Sequence, residues 1–312
     1  MKLGVDLGGT KIEAIILGEG GGAVWRERII TPQGDYGATL SAVEKIVSIA
    51  KHENHLPQSM PIGIGTPGAL CVRSSFPAMT MKNCNSTALN GKPLLRDLSE
   101  LLKCPVSIAN DANCMVLAET LSGQGEKLFK NDRPESVFGV ILGTGVGGGL
   151  VIHDRLVQGA NHISGEWGHN PLPSTMLDLL PLSEKHRRCY CGRLDCVETY
   201  LSGPGLALSY SLRFGGRISP EDILNNMREG KEQATIIWEQ YLNHLACSLA
   251  VVLNILDPSL IVLGGGLSNI DEIYFSINER IQQYVFTDTF ETSIVPALLG
   301  DSAGVYGAAW LV

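Results

Sequence analysis

The feature that most constrains this chain is a long-period internal repeat. A strand-like run empties into glycines at GVDLGG, and another does so at GVILGTG. Aligning Gly4 with Gly139 also pairs Val5 with Val140, Leu7 with Leu142 and Gly8 with Gly143. Residues 3–7 alternate before the turn, KIEAIIL reads as the returning strand, and GEGGG turns again into AVWRERIIT, which predicts a three-stranded meander. Asp35 is placed to cap a helix over YGATLSAVEKIVSIAKHE, because Tyr36, Leu40, Val43, Ile46, Val47 and Ala50 recur at helical spacing. PIGIG then reads as a short buried strand, LLRDLSELLK as a helix and VSIAND as another strand. The same order of elements starts again at VFGVILGTGVGGGLVI. A period so far above that of a solenoid predicts two related α/β domains facing each other over a cleft.

The polar segment GQGEKLFKNDRPES is the expected join. We expect a small N-terminal domain over 1–115, a larger domain over 116–297, and a small-residue, helix-prone end, 298–312, packing back on the first. Within the larger domain IIWEQYLNHLACSLAVVLNIL should be one long helix stopped at Asp257-Pro258, and SLIVLGGGL a buried strand opening into glycines. At 312 residues, 44% hydrophobic and 18% charged, the chain suits two globular cores. A net charge of −8 without a long basic run argues against a nucleic-acid surface and leaves a metabolite as the expected ligand. No apolar run is expected to reach the roughly 18 residues of a membrane span, and LGVDL follows Met1 without a signal-like segment, so a cytoplasmic location away from membranes is expected. Cys71, Cys84, Cys104, Cys114 and Cys247 stand singly and read as reduced packing residues.

GxGxxG occurs at Gly63, Gly65, Gly68 and again at Gly143, Gly145, Gly148. Neither copy suits a dinucleotide, since that fingerprint must open a helix, and here Pro67 interrupts the first while the second runs on into a strand. Two hairpin turns remain, one with Asp6, Gly8, Gly9, Thr10 and Lys11, the other with Gly143, Thr144 and Gly145. Glycines let successive N–H groups point at one spot and nest a phosphate, although a plain hairpin needs glycine too. Taken together, one per domain, the turns favour ATP, with Asp6 suited to hold Mg²⁺ through water. VSIA delivers Asn110 and Asp111 to a sheet edge, where the aspartate can take a proton from an attacking hydroxyl or serve only as the cap of the helix that follows.

His169 in GEWGH and Cys189, Cys191 and Cys196 in CYCGRLDC form a set of one imidazole and three thiolates. Zn²⁺ closes such a set tetrahedrally with no position left for water, so a structural site is expected; the alternative is three unrelated reduced thiols. Glu166 and Glu198 flank the set, and a bound ion would pin both.

GVDLGGTK, NDAN at 110–113, GEWGH, CxCGxxxC with Glu198 two residues beyond, and LGGG together resemble the ROK family of sugar kinases and sugar-responsive repressors, over the whole chain. The resemblance implies the two-domain actin-like (ribonuclease H-like) ATPase fold and a homodimer using ATP with Mg²⁺. It makes Asp111 the general base and gives Asn110, Glu166, His169 and Glu198 to the sugar hydroxyls, with the Gly68 loop bordering the sugar. It adds Gly264, Gly265 and Gly266 to the ATP contacts and assigns zinc to His169, Cys189, Cys191 and Cys196. Two positions depart from the family pattern: Asp195 replaces the second glycine of CGxxGC, and Thr66 replaces an apolar residue in GIGxPG. NSTALNGKPL, GEWGHNPLP and CYCG are most similar to bacterial fructokinases that also accept mannose, so phosphorylation of D-fructose to fructose 6-phosphate is the expectation. N-acetylglucosamine or glucose kinase is the alternative; N-acetylglucosamine kinases tend to carry phenylalanine at Trp167, whose indole is expected to crowd an acetamido group. A repressor is disfavoured, because a turn beginning at Asp6 leaves no room before it for a DNA-binding module.

Overall fold

The computed structural model describes residues 1–71, 79–84, 86–130 and 132–312; Asn85, which opens NSTALNGKPL, and Asn131, in the expected join, lie outside them. The meander forms as β1 (Lys2–Leu7), β2 (Lys11–Leu17) and β3 (Ala23–Ile30). Next come α1 (Tyr36–Glu53), capped by Asp35 accepting from the Ala38 N–H at 3.0 Å, and β4 (Ile62–Thr66), buried along its whole length. A small ribbon of β5 (Ala69–Cys71) and β6 (Thr80–Lys82) precedes α2 (Leu94–Leu102), β7 (Val106–Asn110), α3 (Asp111–Leu121) and α4 (Gln124–Phe129). β4 pairs in parallel with β1 and β7, giving the sheet order β3-β2-β1-β4-β7.

The second sheet repeats this plan. β8 (Ser136–Leu142), β9 (Val146–Ile152) and β10 (Arg155–Leu156) lead into α5 (Ser174–Leu179), α6 (Glu198–Leu201), α7 (Gly203–Phe214), α8 (Pro220–Arg228) and α9 (Glu232–Leu256). Then come β11 (Leu260–Gly264), α10 (Ile277–Ile281), β12 (Ser293–Pro296) and α11 (Ala303–Trp310). The order is β10-β9-β8-β11-β12, with β9 and β10 antiparallel and β11 and β12 parallel, matching the first sheet strand for strand. The faint glycine alignment at positions 4 and 139 thus marks a duplicated sheet.

Two compact units result, one of Met1–Val137, Gly149–Ser164 and Leu298–Val312, the other of Phe138–Gly148 and Gly165–Ala297. Residues 116–137 stay with the first unit, beyond a cut at 115, because α3 packs on α11 and because of Glu119. Its fully buried carboxylate accepts N–H groups from Gln124 (3.0 Å), Leu298 (2.8 Å) and Leu299 (2.7 Å). On one face of the first sheet Leu3, Val5, Ile12 and Ile64 pack with Val43, Ile46 and Val47 of α1 and Leu94 and Leu98 of α2. On the other face α11 rests on bare backbone: a Cβ on Gly63 would lie 1.7 Å from the Ala308 carbonyl oxygen, and one on Gly4 2.2 Å from the Ala309 nitrogen. In the second unit α9 is, contrary to expectation, long and apolar enough to cross a membrane by length and composition. It is a core helix, with Ile237, Trp238, Leu242, Leu245, Leu249 and Leu253 buried.

Candidate functional site

Parallel pairing brings the carboxyl ends of β1, β4 and β7 to one edge, where Asp6 is level with Gly65 and Thr66 with Asn110. Ligands of α/β sheets bind at such edges. Space for the Asp6 carboxylate comes from glycine: a Cβ on Gly304, in α11, would stand 3.0 Å from its Oδ2, and one on Gly65 3.4 Å from its Oδ1. Burial first, then the negative charges of Asp111 and Glu13, push the Asp6 carboxyl up to about 6, against the pull of Lys11. Desolvation by the surrounding protein likewise raises Asp111, although the residue itself is exposed; the Ala112 N–H, donating to its Oδ1 at 2.9 Å, offsets part of this. Glu13, paired with Asp6 across β1 and β2, differs. Burial works to raise it too, yet Arg26 and Arg28 outweigh that and hold it below the usual carboxylate range, with Arg28 Nε at 2.9 Å and Lys11 Nζ at 3.6 Å.

The helix cap is Asn110, whose Oδ1 accepts from the Asn113 N–H at 2.8 Å; Asp111 is the first residue of α3. The capping role considered for Asp111 therefore belongs to its neighbour, and the carboxylate is left for other work. Asn110 and Gly68 both line a recess of about 330 Å³ within the first unit, together with Leu70, Asn113 and His162. Thr66 Oγ1 and Asn113 Oδ1, both on residues of this lining, are buried without a hydrogen-bond partner among the described residues. Gly68 itself has φ +76, and a Cβ there would meet the Lys82 carbonyl oxygen at 2.4 Å, so local packing alone demands glycine.

None of Gly8, Gly9, Gly143 and Gly145 adopts a positive φ. At Gly8 and Gly145 the lack of a side chain serves close approach, not an unusual backbone angle. A Cβ on Gly8 would come 2.9 Å from the Lys11 carbonyl oxygen, and the Gly8 carbonyl accepts from Thr31 Oγ1 at 2.8 Å. In the second turn Gly143 N–H bonds the Gly145 carbonyl at 3.0 Å, and the Gly143 carbonyl accepts from Gly203 N–H, at the start of α7, at 2.8 Å. Gly265, after β11, has φ +85, and a Cβ would sit 2.5 Å from the Leu142 carbonyl oxygen; Gly143 and Gly266 face open space.

The second unit gathers the metal set. His169, Cys189, Cys191 and Cys196 offer four donor atoms, all within 4.8 Å of one another. Cys189 Sγ is 3.6 Å from His169 Nδ1, and Cys191 Sγ is 3.6 Å from Cys196 Sγ. The edge of a tetrahedron with Zn–S bonds of about 2.3 Å is about 3.8 Å, so the donors fit zinc in both chemistry and spacing. The other imidazole nitrogen, Nε2, faces Tyr190 Oη at 3.1 Å and Glu166 Oε2 at 4.0 Å. Glu198, given to the sugar by resemblance, is engaged twice: Oε2 accepts from the Val146 N–H at 3.0 Å, and Cys189 Sγ lies 3.8 Å from Oε1. A Cβ on Gly145 would approach that Oε2 to 2.7 Å. The carboxylate thus joins the cysteine loop to the second glycine turn, a link that spacing along the chain does not suggest. Tyr190, standing edge-on to His169 with ring centroids 5.2 Å apart, was also missed, although its place between two ligands is a signal.

A family model described as the ROK family matches residues 2–312. The chain belongs to the ROK family. This ROK protein is 37% identical over 311 residues to an N-acetyl-D-glucosamine kinase of Yersinia pseudotuberculosis, across 100% of the chain and 98% of that relative. The crystal structure of a ROK hexokinase from Thermus thermophilus superposes with a TM-score of 0.83 at 26% identity, covering 100% of this chain and 98% of that one. A ROK glucokinase from Streptomyces griseus, solved with glucose and AMPPNP, gives a TM-score of 0.69 at 24% identity, covering 100% and 98%. The duplicated sheets of this ROK protein are those of the actin-like ATPase fold, and the chain is a sugar kinase of that family.

Proposed function

We propose that this sugar kinase transfers the γ-phosphoryl group of ATP to the 6-hydroxyl of N-acetylglucosamine. The observation that carries the chemistry is Asp111 at the head of α3, raised in pKa and free of the capping duty that Asn110 performs. A carboxylate so placed orients a primary hydroxyl and takes its proton as the phosphoryl group moves; positioning and charge stabilisation do the rest. In the first unit, Asn110 and the Gly68 loop are assigned to sugar binding and the turn at Gly8 to phosphate. In the second unit, Glu166, His169 and Glu198 are assigned to sugar hydroxyls, and the turn at Gly143 with Gly264 to Gly266 to the nucleotide. Mg²⁺ held through water by Asp6 would neutralise charge on the phosphates, and zinc on His169, Cys189, Cys191 and Cys196 would be structural.

N-acetylglucosamine takes precedence over fructose for two reasons. The Yersinia relative is a kinase of that sugar. The steric objection also loses its ground: Trp167 is only 5% exposed, donates its indole N–H to the Gly147 carbonyl at 2.8 Å and packs edge-on against Phe138. It is a core residue with little surface to offer a ligand. A hexose panel with coupled ADP detection tests the proposal. Turnover of N-acetylglucosamine should exceed that of fructose, mannose and glucose in kcat/KM; fructose ranking first would restore the fructokinase assignment.

A further inference from the structure

Asp195, where the family pattern has glycine, stands in the left-handed region at φ +52. Glycine takes that conformation freely, whereas a residue with a Cβ does so against steric resistance. The side chain gives a reason for it to be there. Its Oδ1 accepts from the Arg187 N–H at 2.9 Å and from Tyr200 Oη at 2.6 Å, and its Oδ2 accepts from the His186 N–H at 3.1 Å. Its backbone is used as well: its N–H bonds the Arg187 carbonyl at 2.8 Å, and its carbonyl accepts from Leu172 N–H at 2.8 Å.

These bonds connect everything the metal set depends on. Leu172 follows His169, and next to it Pro171 bridges Cys196. Tyr200 lies on α6 with Glu198, and the ring of Tyr200 is covered by the Arg187 guanidinium, 4.0 Å from its centroid. Arg187 in turn donates to the carbonyls of Glu184 (3.0 Å) and Thr199 (2.8 Å) and to Ser209 Oγ (3.1 Å) on α7. The network is buried, so its bonds compete with little water.

We propose that the Asp195 carboxylate is a clamp that holds the Cys189–Cys196 loop, and Glu198 with it, in binding geometry before any ion arrives. Asp195 is a positioning residue and touches no reactant. Its bearing on the sugar rests on the kinase assignment above, but the closure of the loop does not.

The test follows the thiols in the folded protein after chelation. Cys189 and Cys196 are buried while Cys191 is exposed. A pulse of iodoacetamide, mapped by mass spectrometry, should label Cys191 quickly and the other two slowly in the wild type. In Asp195→Gly the labelling of Cys189 and Cys196 should quicken by about 10-fold or more, because hydrogen bonds to a charged acceptor no longer hold the loop shut. Asp195→Asn keeps an acceptor for Arg187 and Tyr200 and should restore most of the protection. Tyr200→Phe removes one donor and should give a smaller rise, which covers the case of a glycine variant that does not fold. Chelated Asp195→Gly should also show a raised KM for N-acetylglucosamine with kcat changed by less than about threefold, where a merely unstable enzyme would lose kcat through lost molecules. Protection of Cys189 and Cys196 unchanged in Asp195→Gly and Tyr200→Phe would overturn the clamp. Altered labelling in a protein with no hexosamine kinase activity would uphold the clamp and remove the proposed function instead.

Discussion

Asp6 and Asp111 in the first unit, set beside Asp195 in the second, are carboxylates used in opposite ways. Asp6 is crowded by glycine backbone and by other negative charges, and both it and Asp111 sit above the ordinary carboxylate range. Asp195 is met by two N–H groups and a phenol. Carboxylates with few donors are poised for proton and cation chemistry; those saturated with donors hold chain segments in place. Glu119 shows that the first unit also uses the saturated kind, at the point where the C-terminal stretch returns.

The difference can be tested most severely at Asp111. Asp111→Asn should lower kcat by about 10²- to 10⁴-fold without lowering the melting temperature, because a carboxyl raised in pKa is not stabilised by its ionised form. A variant within about threefold of wild type would reduce Asp111 to a first-turn helix residue. Glu119→Ala should do the reverse, costing about 2 kcal/mol in chemical denaturation by stranding the buried N–H of Gln124 and the half-buried N–H groups of Leu298 and Leu299, with kcat per folded molecule little changed. A loss below about 1 kcal/mol would show that the returning stretch is held by packing alone.

The glycine turns sharpen the contrast within one loop. Gly145→Ala pushes the Glu198 carboxylate away from the Val146 N–H and should destabilise by about 1 kcal/mol. Gly143→Ala meets nothing and should leave stability within about 0.5 kcal/mol while weakening ATP binding in calorimetry. Unchanged ATP affinity in Gly143→Ala would make that turn only a hairpin. Smaller still is a pH effect. Asp6 must be ionised to serve Mg²⁺, so kcat/KM should fall as pH drops through about 6. For stability the sign is opposite: the folded pKa, about 6, lies above the unfolded value of 3.8, so this group favours the folded state below about 4 and that contribution is lost as pH rises toward 6. Asp6→Asn should abolish this pH dependence and slightly raise the melting temperature near neutral pH while lowering turnover. The least effect belongs to Trp167→Phe, which gives up one N–H···O bond and should not alter the ratio of kcat/KM for N-acetylglucosamine to that for fructose; a shift above about fivefold would return the indole to the pocket wall.

Local periodicity made α1, β4, α2 and β7 legible, and the alignment of Gly4 with Gly139 anticipated the copied sheet, because those signals depend on residues close in sequence. Tertiary facts were not legible in the same way. Asn110 and Asp111 are both good caps, and only the backbone geometry at the end of β7 decides between them. Glu198 and Val146 are 52 residues apart, so no spacing could announce their bond. Glycine in a turn signals either a left-handed backbone or a close neighbour, and at Gly8 and Gly145 it is the neighbour. The reach of the first unit past 115 depends on residues 149–164 and 298–312 coming back to it, which composition does not encode.

The bare-backbone seat of α11 has a consequence for how the chain is made. Gly4 and Gly63 accept Ala309 and Ala308 at distances that no other residue could fill, and α11 covers β1, β2 and β4 and packs on α3. Those strands precede the second unit in the sequence, but the helix that covers them follows it, in Leu298–Val312. Domains usually fold as they emerge, N-terminal first. Here the second unit, whose final residue is Ala297, has all its parts while the first still waits with one face of its sheet uncovered. The half translated first is completed last, so a stalled or truncated product would expose the glycine-lined strands that carry Asp6.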